Sequence, residues 1–479
     1  MLWGKAEIRR TVCIGLLSTM LVACRDGQGA AKEQLRPNFL FILVDDQGWN
    51  GTSVEMIEGD SLSRSDFFET PHLEALADSG MVFSQAYAAA PVCAPSRYSI
   101  QFGKTPARLS VVRVGMNTDH VRHEALLSIP KALVDVDSNY VAGHFGKWGM
   151  GSHPSTLGYA HSDGPNQNKA GGFVNDRSQW TVESKEDPKQ IRALTRSALE
   201  FMAEASASNR PFYLQVSHYA VHASIQATPG QIEAFESKAA GVRHMDPGFA
   251  AMTADLDAGL GALMRGLDSL GLRDNTYIFY MSDNGSVPNI PGAKPYTRSL
   301  NYPLSRGKWD AMEGGIRVPL VVSGPGIAKG VYCDQPVSGC DILPTISQLA
   351  GRFIGSDSTL DGGSFHGLLF EDEEATVTRL TDGLVFHVPY RNGIALKRPH
   401  SAIRQGDFKL LKFQDTGETY LYDLSIDAGE TTDRTAQFSQ SSEALERHLD
   451  AYLHRVKAPK WAEGITWKKH PLESFNSHH

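Results

Sequence analysis

The sequence predicts an α/β fold: a large mixed, mostly parallel sheet sandwiched by helices, followed by a smaller C-terminal subdomain of antiparallel sheet plus helix. Three observations carry this prediction. Residues 38–44, Asn-Phe-Leu-Phe-Ile-Leu-Val, form an almost unbroken apolar run of the kind that makes a strand buried on both faces. Similar runs recur at 211–216, 276–281 and 319–322, with helical stretches between them. After about Glu374 the texture changes to short strands punctuated by turn residues.

The helices have legible ends. Thr70-Pro71 opens one and Gly80 closes it, a cap before proline and a glycine past the end. Asp187-Pro188 opens a second, running to about Ala205. Asp246-Pro247 opens a third, with Met252, Leu256, Leu260 and Leu263 at helical spacing. Asp341 opens a fourth, closed by Gly351. In the C-terminal part, 401–404, 408–413 and 419–422 are expected as strands, with Gly406 and Asp415-Thr416-Gly417 as turns, and 442–456 as an amphipathic helix.

The first residues read as a targeting segment. Lys5, Arg9 and Arg10 precede a short apolar run, 11–22, too short for a comfortable membrane span. It ends in Leu21-Val22-Ala23-Cys24, which resembles a bacterial lipobox, so the expectation is a signal peptide over 1–23. Cys24 would then carry lipid and attach the protein to the membrane, with 24–36 as a polar tether. The expected location is that of an exported lipoprotein, in the periplasm or at the outer membrane or cell surface. The expected domains are 37–374 and 375–479.

The bulk composition excludes little but points one way. A hydrophobic fraction of 41% and a charged fraction of 21% are ordinary for a globular enzyme. The net charge of -8 gives no global basic surface for nucleic acid. Five cysteines are present. Cys13 leaves with the signal and Cys24 is spent on lipid. Cys333 and Cys340 lie close enough in sequence for a disulfide in an oxidising compartment, and two free thiols are equally open. Cys93 is left unpaired.

Two carboxylates, Asp45-Asp46, directly follow the first strand, where open α/β sheets bind ligands. Adjacent carboxylates repel unless a cation neutralises them, and a hard divalent ion suits oxygen donors. The strand at 276–281 is followed in the same way by Asp283-Asn284. Together these offer three carboxylates and an amide as candidate metal ligands.

Cys93-Ala94-Pro95-Ser96-Arg97 reads Cys-x-Pro-x-Arg and resembles the signature of the type I, formylglycine-dependent sulfatases of the alkaline-phosphatase-like superfamily. The stretch 143–151, Gly-His-Phe-Gly-Lys-Trp-Gly-Met-Gly, resembles the family's second signature, and Lys308 through Glu313-Gly314-Gly315-Ile316-Arg317-Val318-Pro319 resembles a third block. The resemblance runs from about Pro37 to the C-terminal helix. It implies that Cys93 is oxidised to formylglycine by a formylglycine-generating enzyme and joins Asp45, Asp46, Asp283 and Asn284 around a metal, Ca²⁺ in preference to Mg²⁺. It implies that Arg97 holds the nucleophile and metal cluster, that Lys147 and Lys308 contact sulfate, and that His222 protonates the leaving oxygen. His218 reads as a rival packing histidine, His144 as part of a strand end, and Arg317 as structural. His387, Arg391 and His400 fall where relatives line the substrate pocket.

The implied reaction is hydrolysis of sulfate esters, with a sulfated carbohydrate as partner. The alternatives are a phosphonate or phosphate diester hydrolase of the same superfamily, or a non-catalytic lipoprotein that binds sulfated glycans. One position departs from the family pattern: Gly149 stands where most members carry histidine, two residues after the lysine.

Overall fold

A computed structural model of the chain describes residues 36–288, 300–354, 359–371, 375–392 and 397–468. The predicted signal peptide, Cys24, nearly all of the tether and the boundary at Glu374 lie outside the described residues. No helix among the described residues is long and apolar enough to cross a membrane.

The main sheet holds β1 (Asn38–Val44), β2 (Met81–Phe83), β3 (Val141–Gly146), β4 (His161–Ser162), β5 (Phe212–Ser217), β6 (Thr276–Ser282), β7 (Leu320–Ser323) and β8 (Val331–Cys333). Their order across the sheet is β8-β2-β7-β6-β1-β5-β3-β4. The run β6-β1-β5-β3-β4 is parallel, whereas β7 is antiparallel to both β6 and β2. All seven residues of β1 are buried. Alternate side chains of this strand feed two cores.

Leu40, Ile42 and Val44 pack with α1 (Pro71–Asp78) on one face. Phe39, Phe41 and Leu43 pack with α2 (Cys93–Phe102) and α3 (Ile129–Val136) on the other. The first core also takes α4 (Ile191–Ala207) and α5 (Pro247–Ser269). The second takes α6 (Ile342–Leu349). Burial on both faces explains why the strands read as continuous apolar runs rather than alternating ones.

The helix starts agree with their caps in two cases and move in a third. Pro71 and Pro247 occupy first turns, and the Asp246 carboxylate accepts from Phe249 N. The segment after Asp187 begins with a separate turn, because Lys189 and Gln190 take left-handed backbone conformations, and α4 starts at Ile191. The Asp187 carboxylate still accepts from Arg192 N and Ala193 N, so the cap works one turn later than its sequence position implies. Cys333 and Cys340 are both free thiols, which rules out the bridge that the sequence left open.

The second sheet is antiparallel, in the order β9 (Leu384–Val388), β10 (His400–Gln405), β11 (Phe408–Phe413) and β12 (Thr419–Asp423). The strand β9 was not expected from sequence. It places His387 inside a ladder rather than in a loop. One face of this sheet packs toward the main domain through Phe386, Ala402 and Leu411. The other is covered by α7 (Ser439–Arg455), with Val385, Ile403 and Leu410 beneath Leu445 and Leu449.

A buried ionic cluster ties this second sheet to the Glu-Gly-Gly block. Lys409 Nζ lies 3.0 Å from Glu313 Oε1 and 2.7 Å from Glu430 Oε1, all three side chains being fully buried. Glu313 N donates to Glu430 Oε2 at 2.7 Å, and the Tyr87 hydroxyl donates to Glu313 Oε2 at 2.7 Å. Removing the shared cation would leave two buried carboxylates facing one another. Lys409→Ala is therefore expected to destabilise the fold by about 3–5 kcal/mol, measured by urea unfolding. A loss below about 1 kcal/mol would mean that the cluster rearranges freely.

Candidate functional site

Four strand ends converge because the parallel strands stop in register. Val44 lies opposite Ser282, Leu43 opposite Ser217, and Gly146 opposite Ser217. The next residues, Asp45-Asp46, Asp283-Asn284, Lys147 and the segment 218–222, therefore leave the sheet side by side at its carboxyl edge. Cys93 is the first residue of α2, which brings its side chain and Arg97 to this edge from one face. Lys308 arrives on the loop that precedes the Glu-Gly-Gly block.

The carboxylates are each met by one cation. Lys147 Nζ lies 2.6 Å from Asp45 Oδ2, Lys308 Nζ 2.7 Å from the Asp46 carboxylate, and Arg97 Nε 2.8 Å from Asp283 Oδ2. All six side chains are buried. Burial by itself would raise the Asp45 and Asp46 carboxyls, but the surrounding positive charges, Lys147 foremost for Asp45 and Lys308 for Asp46, together hold both below the usual carboxylate range. Burial likewise opposes the charge on Lys147 and Lys308, and the surrounding negative charges, Asp45 foremost for Lys147 and Asp46 for Lys308, together raise both ammonium groups. Asp46 adopts a left-handed backbone, φ 62°, unusual for a residue with a side chain, and its N–H donates to Asp283 Oδ1 at 3.2 Å.

Cys93 Sγ faces this cluster, 3.4 Å from Lys308 Nζ and 3.9 Å from Asp46 Oδ1. Burial pushes the thiol up to about 12, only partly offset by Lys147 and Lys308. An unmodified thiol here stays protonated at neutral pH and is a poor nucleophile.

One ligand atom from each of Asp45, Asp46, Cys93 and Asp283 lies within 4.8 Å of the others. Asp45 Oδ1 and Asn284 Oδ1 are buried without a hydrogen-bond partner among the described residues, although Asn284 Nδ2 donates to Asp46 Oδ1 at 2.7 Å. Orphaned buried oxygens are costly unless something neutral or cationic completes them. Hard oxygen donors with two open acceptors fit a divalent cation.

Gly149 has a physical reason to differ from histidine. Its φ is +73°, and a Cβ there would sit 2.9 Å from Arg97 Cδ. Arg97 occupies that volume while it grips Asp283 and donates to Lys147 O.

His222 lies on the same rim, Nε2 3.7 Å from Asp46 Oδ2. Nδ1 bonds the Ala223 carbonyl and so carries the proton, which leaves Nε2 to accept from Asn168 Nδ2 at 3.1 Å. Phe173 packs edge-on against the ring at 4.9 Å. Burial, then the Lys308 charge, lower this imidazole to about 4. The group expected as an imidazolium is therefore neutral at pH 7 before substrate arrives. His218 is fully buried with both ring nitrogens unpartnered, and burial lowers it to about 4. His144 is buried with Nε2 against Ser217 Oγ. Arg317 bonds Ser84 O at 2.9 Å and lies over the Trp49 ring, a structural role.

Three residues expected at the substrate pocket are not gathered into this cluster. His400 bonds Ala311 N and Arg398 O, so both ring nitrogens are committed, and the Ala311 contact supports the loop after Lys308. His387 bonds Ser401 Oγ and Pro459 O, on the α7 side of the second sheet. The strands β9 and β10 turn both side chains onto protein partners and away from the carboxylate cluster. Arg391 is half-exposed and pairs with Asp415 at 3.3 Å.

Sequence reasoning missed Lys189. It is buried, its amine has no hydrogen-bond or ion-pair partner among the described residues, and it is influenced by Asp45, Lys147, Asp46 and Glu183. Burial lowers it to about 7 against the pull of Asp45. In sequence it follows Asp187-Pro188 and reads as an ordinary helix start.

Comparison with known proteins finds relatives in sequence and in fold. The model of the Sulfatase family matches residues 37–352, and that of N-sulphoglucosamine sulphohydrolase, C-terminal, matches 308–458. The chain is 30% identical over 383 residues to a dog (Canis lupus familiaris) N-acetylgalactosamine-6-sulfatase, covering 72% of this chain and 68% of the relative. It is 24% identical to an ulvan-active sulfatase of Formosa agariphila, covering 96% of this chain and 89% of the relative. The solved structure of Ps i-CgsB in complex with k-i-k-neocarrahexaose matches with a TM-score of 0.70 and 26% identity, covering 92% of this chain and 99% of that one.

The buried Lys189 amine makes a prediction about stability. Its folded value lies below that of the unfolded chain, so the folded state binds fewer protons and the lysine destabilises most below pH 7. That penalty fades as the pH rises toward 10. Lys189→Met is expected to raise unfolding stability by roughly 2–5 kcal/mol at pH 6 and by much less at pH 10. A pH-independent difference would show that the amine is solvated in the folded protein.

Proposed function

Because the chain belongs to the sulfatase family and is a sulfuric ester hydrolase, we propose that it removes sulfate from a sulfated carbohydrate, with Cys93 in its formylglycine form at the point of attack. The observation that carries the site assignment is the convergence on Cys93 Sγ of Asp46, Lys308 and the rest of the three-carboxylate, three-cation cluster. The carbohydrate class is supported by relatives named for N-acetylgalactosamine 6-sulfate and ulvan, and by a similar structure that holds a carrageenan hexasaccharide.

The family implies a divalent metal and formylglycine. We assign the metal to Asp45, Asp46, Asp283, Asn284 and the modified Cys93, with calcium as the ion. Bound there, the metal supplies positive charge that favours an ionised hydroxyl near neutral pH. A formylglycine hydrate supplies that hydroxyl, which the buried thiol does not.

The chain's own residues do the rest. Lys147 and Lys308 are fixed, charged and buried, and present their ammonium protons to sulfate oxygens in a site of low dielectric, where such stabilisation is largest. Arg97 keeps Asp283 and the backbone of Lys147 in place. His222 offers Nε2 toward the leaving oxygen. An anionic sulfate ester beside the ring offsets the Lys308 charge and favours the imidazolium, which then donates its proton to the departing alkoxide. The exported lipoprotein reading rests on Leu21-Val22-Ala23-Cys24 and suits an enzyme that meets polysaccharide outside the cytoplasm.

Two experiments test this. In protein from a host with formylglycine-generating activity, the tryptic peptide ending at Arg97 is expected to have the mass of an aldehyde in place of the Cys93 thiol. An unmodified thiol in active protein would remove the proposed nucleophile. His222→Ala is expected to slow an alkyl sulfate about 10²–10⁴-fold and 4-nitrophenyl sulfate far less, since nitrophenolate leaves without a proton. Equal slowing of both would overturn the acid role.

A further inference from the structure

The second sheet carries a polar row that its packing does not require. Cross-strand neighbours Val385, Ile403 and Leu410 form an apolar row beneath α7. The next row on the same face is His387, Ser401 and Lys412. Here the helix reaches its last turn, and the chain runs on through Lys457 and Trp461 along the edge of the sheet. A groove of about 750 Å³ opens between these walls.

Its floor is an ordered set of polar groups. His387 Nε2 bonds Pro459 O at 2.7 Å, so Nδ1 accepts from the Ser401 hydroxyl at 2.8 Å, and Gln414 Nε2 donates to Ser401 Oγ at 2.6 Å. Its rim is basic. Lys412 is held by Asp450 and Glu446, at 2.7 and 2.9 Å, whereas the exposed Lys457 and Lys460 have no carboxylate partner among the described residues. Trp461, half-buried, closes one end, with the Arg391 guanidinium over its ring at 5.5 Å.

We propose that this groove binds a sulfated glycan chain at a site distinct from the catalytic cluster. An aromatic face, an amide and uncommitted ammonium groups match the apolar ring faces, hydroxyls and sulfates of such a chain. The groove lies on the face of the second sheet opposite that packed against the main domain, so it holds chain beyond the sugar under attack rather than the scissile sulfate itself. Arg391 connects the two regions: it touches Trp461, and its neighbour Asn392 donates to the carbonyl of Trp309, beside Lys308, at 3.4 Å. The inference rests on the carbohydrate reading above.

The test measures two properties of the full chain in parallel. Affinity is followed by gel retardation and calorimetry with carrageenan, ulvan, chondroitin sulfate and heparan sulfate, each beside its desulfated form. Turnover is followed with 4-nitrophenyl sulfate. Trp461→Ala, and separately Lys457→Glu with Lys460→Glu, are expected to weaken binding of the preferred sulfated polymer at least about tenfold while aryl sulfate turnover stays unchanged. The charge-reversal pair sits on exposed side chains and keeps the test valid if the tryptophan variant folds poorly. Unchanged polymer affinity in the charge-reversal variant overturns the groove, as does a wild-type protein that turns over aryl sulfate but retains no sulfated polymer. Groove-dependent binding without any aryl sulfate turnover would sustain the groove and overturn the catalytic reading instead.

Discussion

Three carboxylates forced together at one edge of a buried sheet are the constraint on which the site is built. Asp45, Asp46 and Asp283 come from neighbouring parallel strands that end in register, and none is exposed to bulk water. Like charges so placed must be neutralised or protonated. The fold answers with Lys147, Lys308 and Arg97, each from a different element and each assigned to one carboxylate. What remains open, among the described residues, is two buried acceptor oxygens, Asp45 Oδ1 and Asn284 Oδ1.

Burial beside this cluster sets the state of the neighbouring groups. It pushes the Cys93 thiol up to about 12 against the pull of Lys147 and Lys308, which keeps the unmodified thiol protonated at neutral pH, and with the Lys308 charge it lowers His222 to about 4, which leaves it neutral at pH 7. Arg97 spends its guanidinium on Asp283 and Lys147 O, and its side chain fills the volume beside Gly149. The departure from the family pattern at Gly149 is thus coupled to the packing of a residue the pattern retains. The Glu313–Lys409–Glu430 cluster ties the block that carries Lys308 to the second sheet. Lys308, which meets Asp46, is in this way braced by a subdomain that contributes no member of the carboxylate cluster.

Much of this was legible in the residues. The apolar runs announced the central strands because burial on both faces leaves no room for alternation, and Asp45-Asp46 and Asp283-Asn284 announced a cation site because carboxylates follow those strands directly. The Cys-x-Pro-x-Arg string and the Lys308 block carried the family. Less legible was β9, whose polar His387 interrupts an otherwise apolar strand, and which ends against Pro389. His387 and His400 looked like pocket residues because histidine beside arginine suits a sulfated ligand. Their ring nitrogens are instead consumed by Ser401, Pro459, Ala311 and Arg398.

The sequence by itself determined the fold class, the order of the elements and the identity of the charged residues at the carboxyl edge of the main sheet. These follow from local rules: periodicity, caps, and residue types placed directly after strands. Only the tertiary structure decided which cation meets which carboxylate, that Cys333 and Cys340 stay apart, that Lys189 is buried with no partner for its amine among the described residues, and that a polar row and Trp461 frame a groove behind the second sheet. Those outcomes depend on how the folded chain brings side chains together in space, and on burial, which sets both the cost of a charge and the state in which it exists.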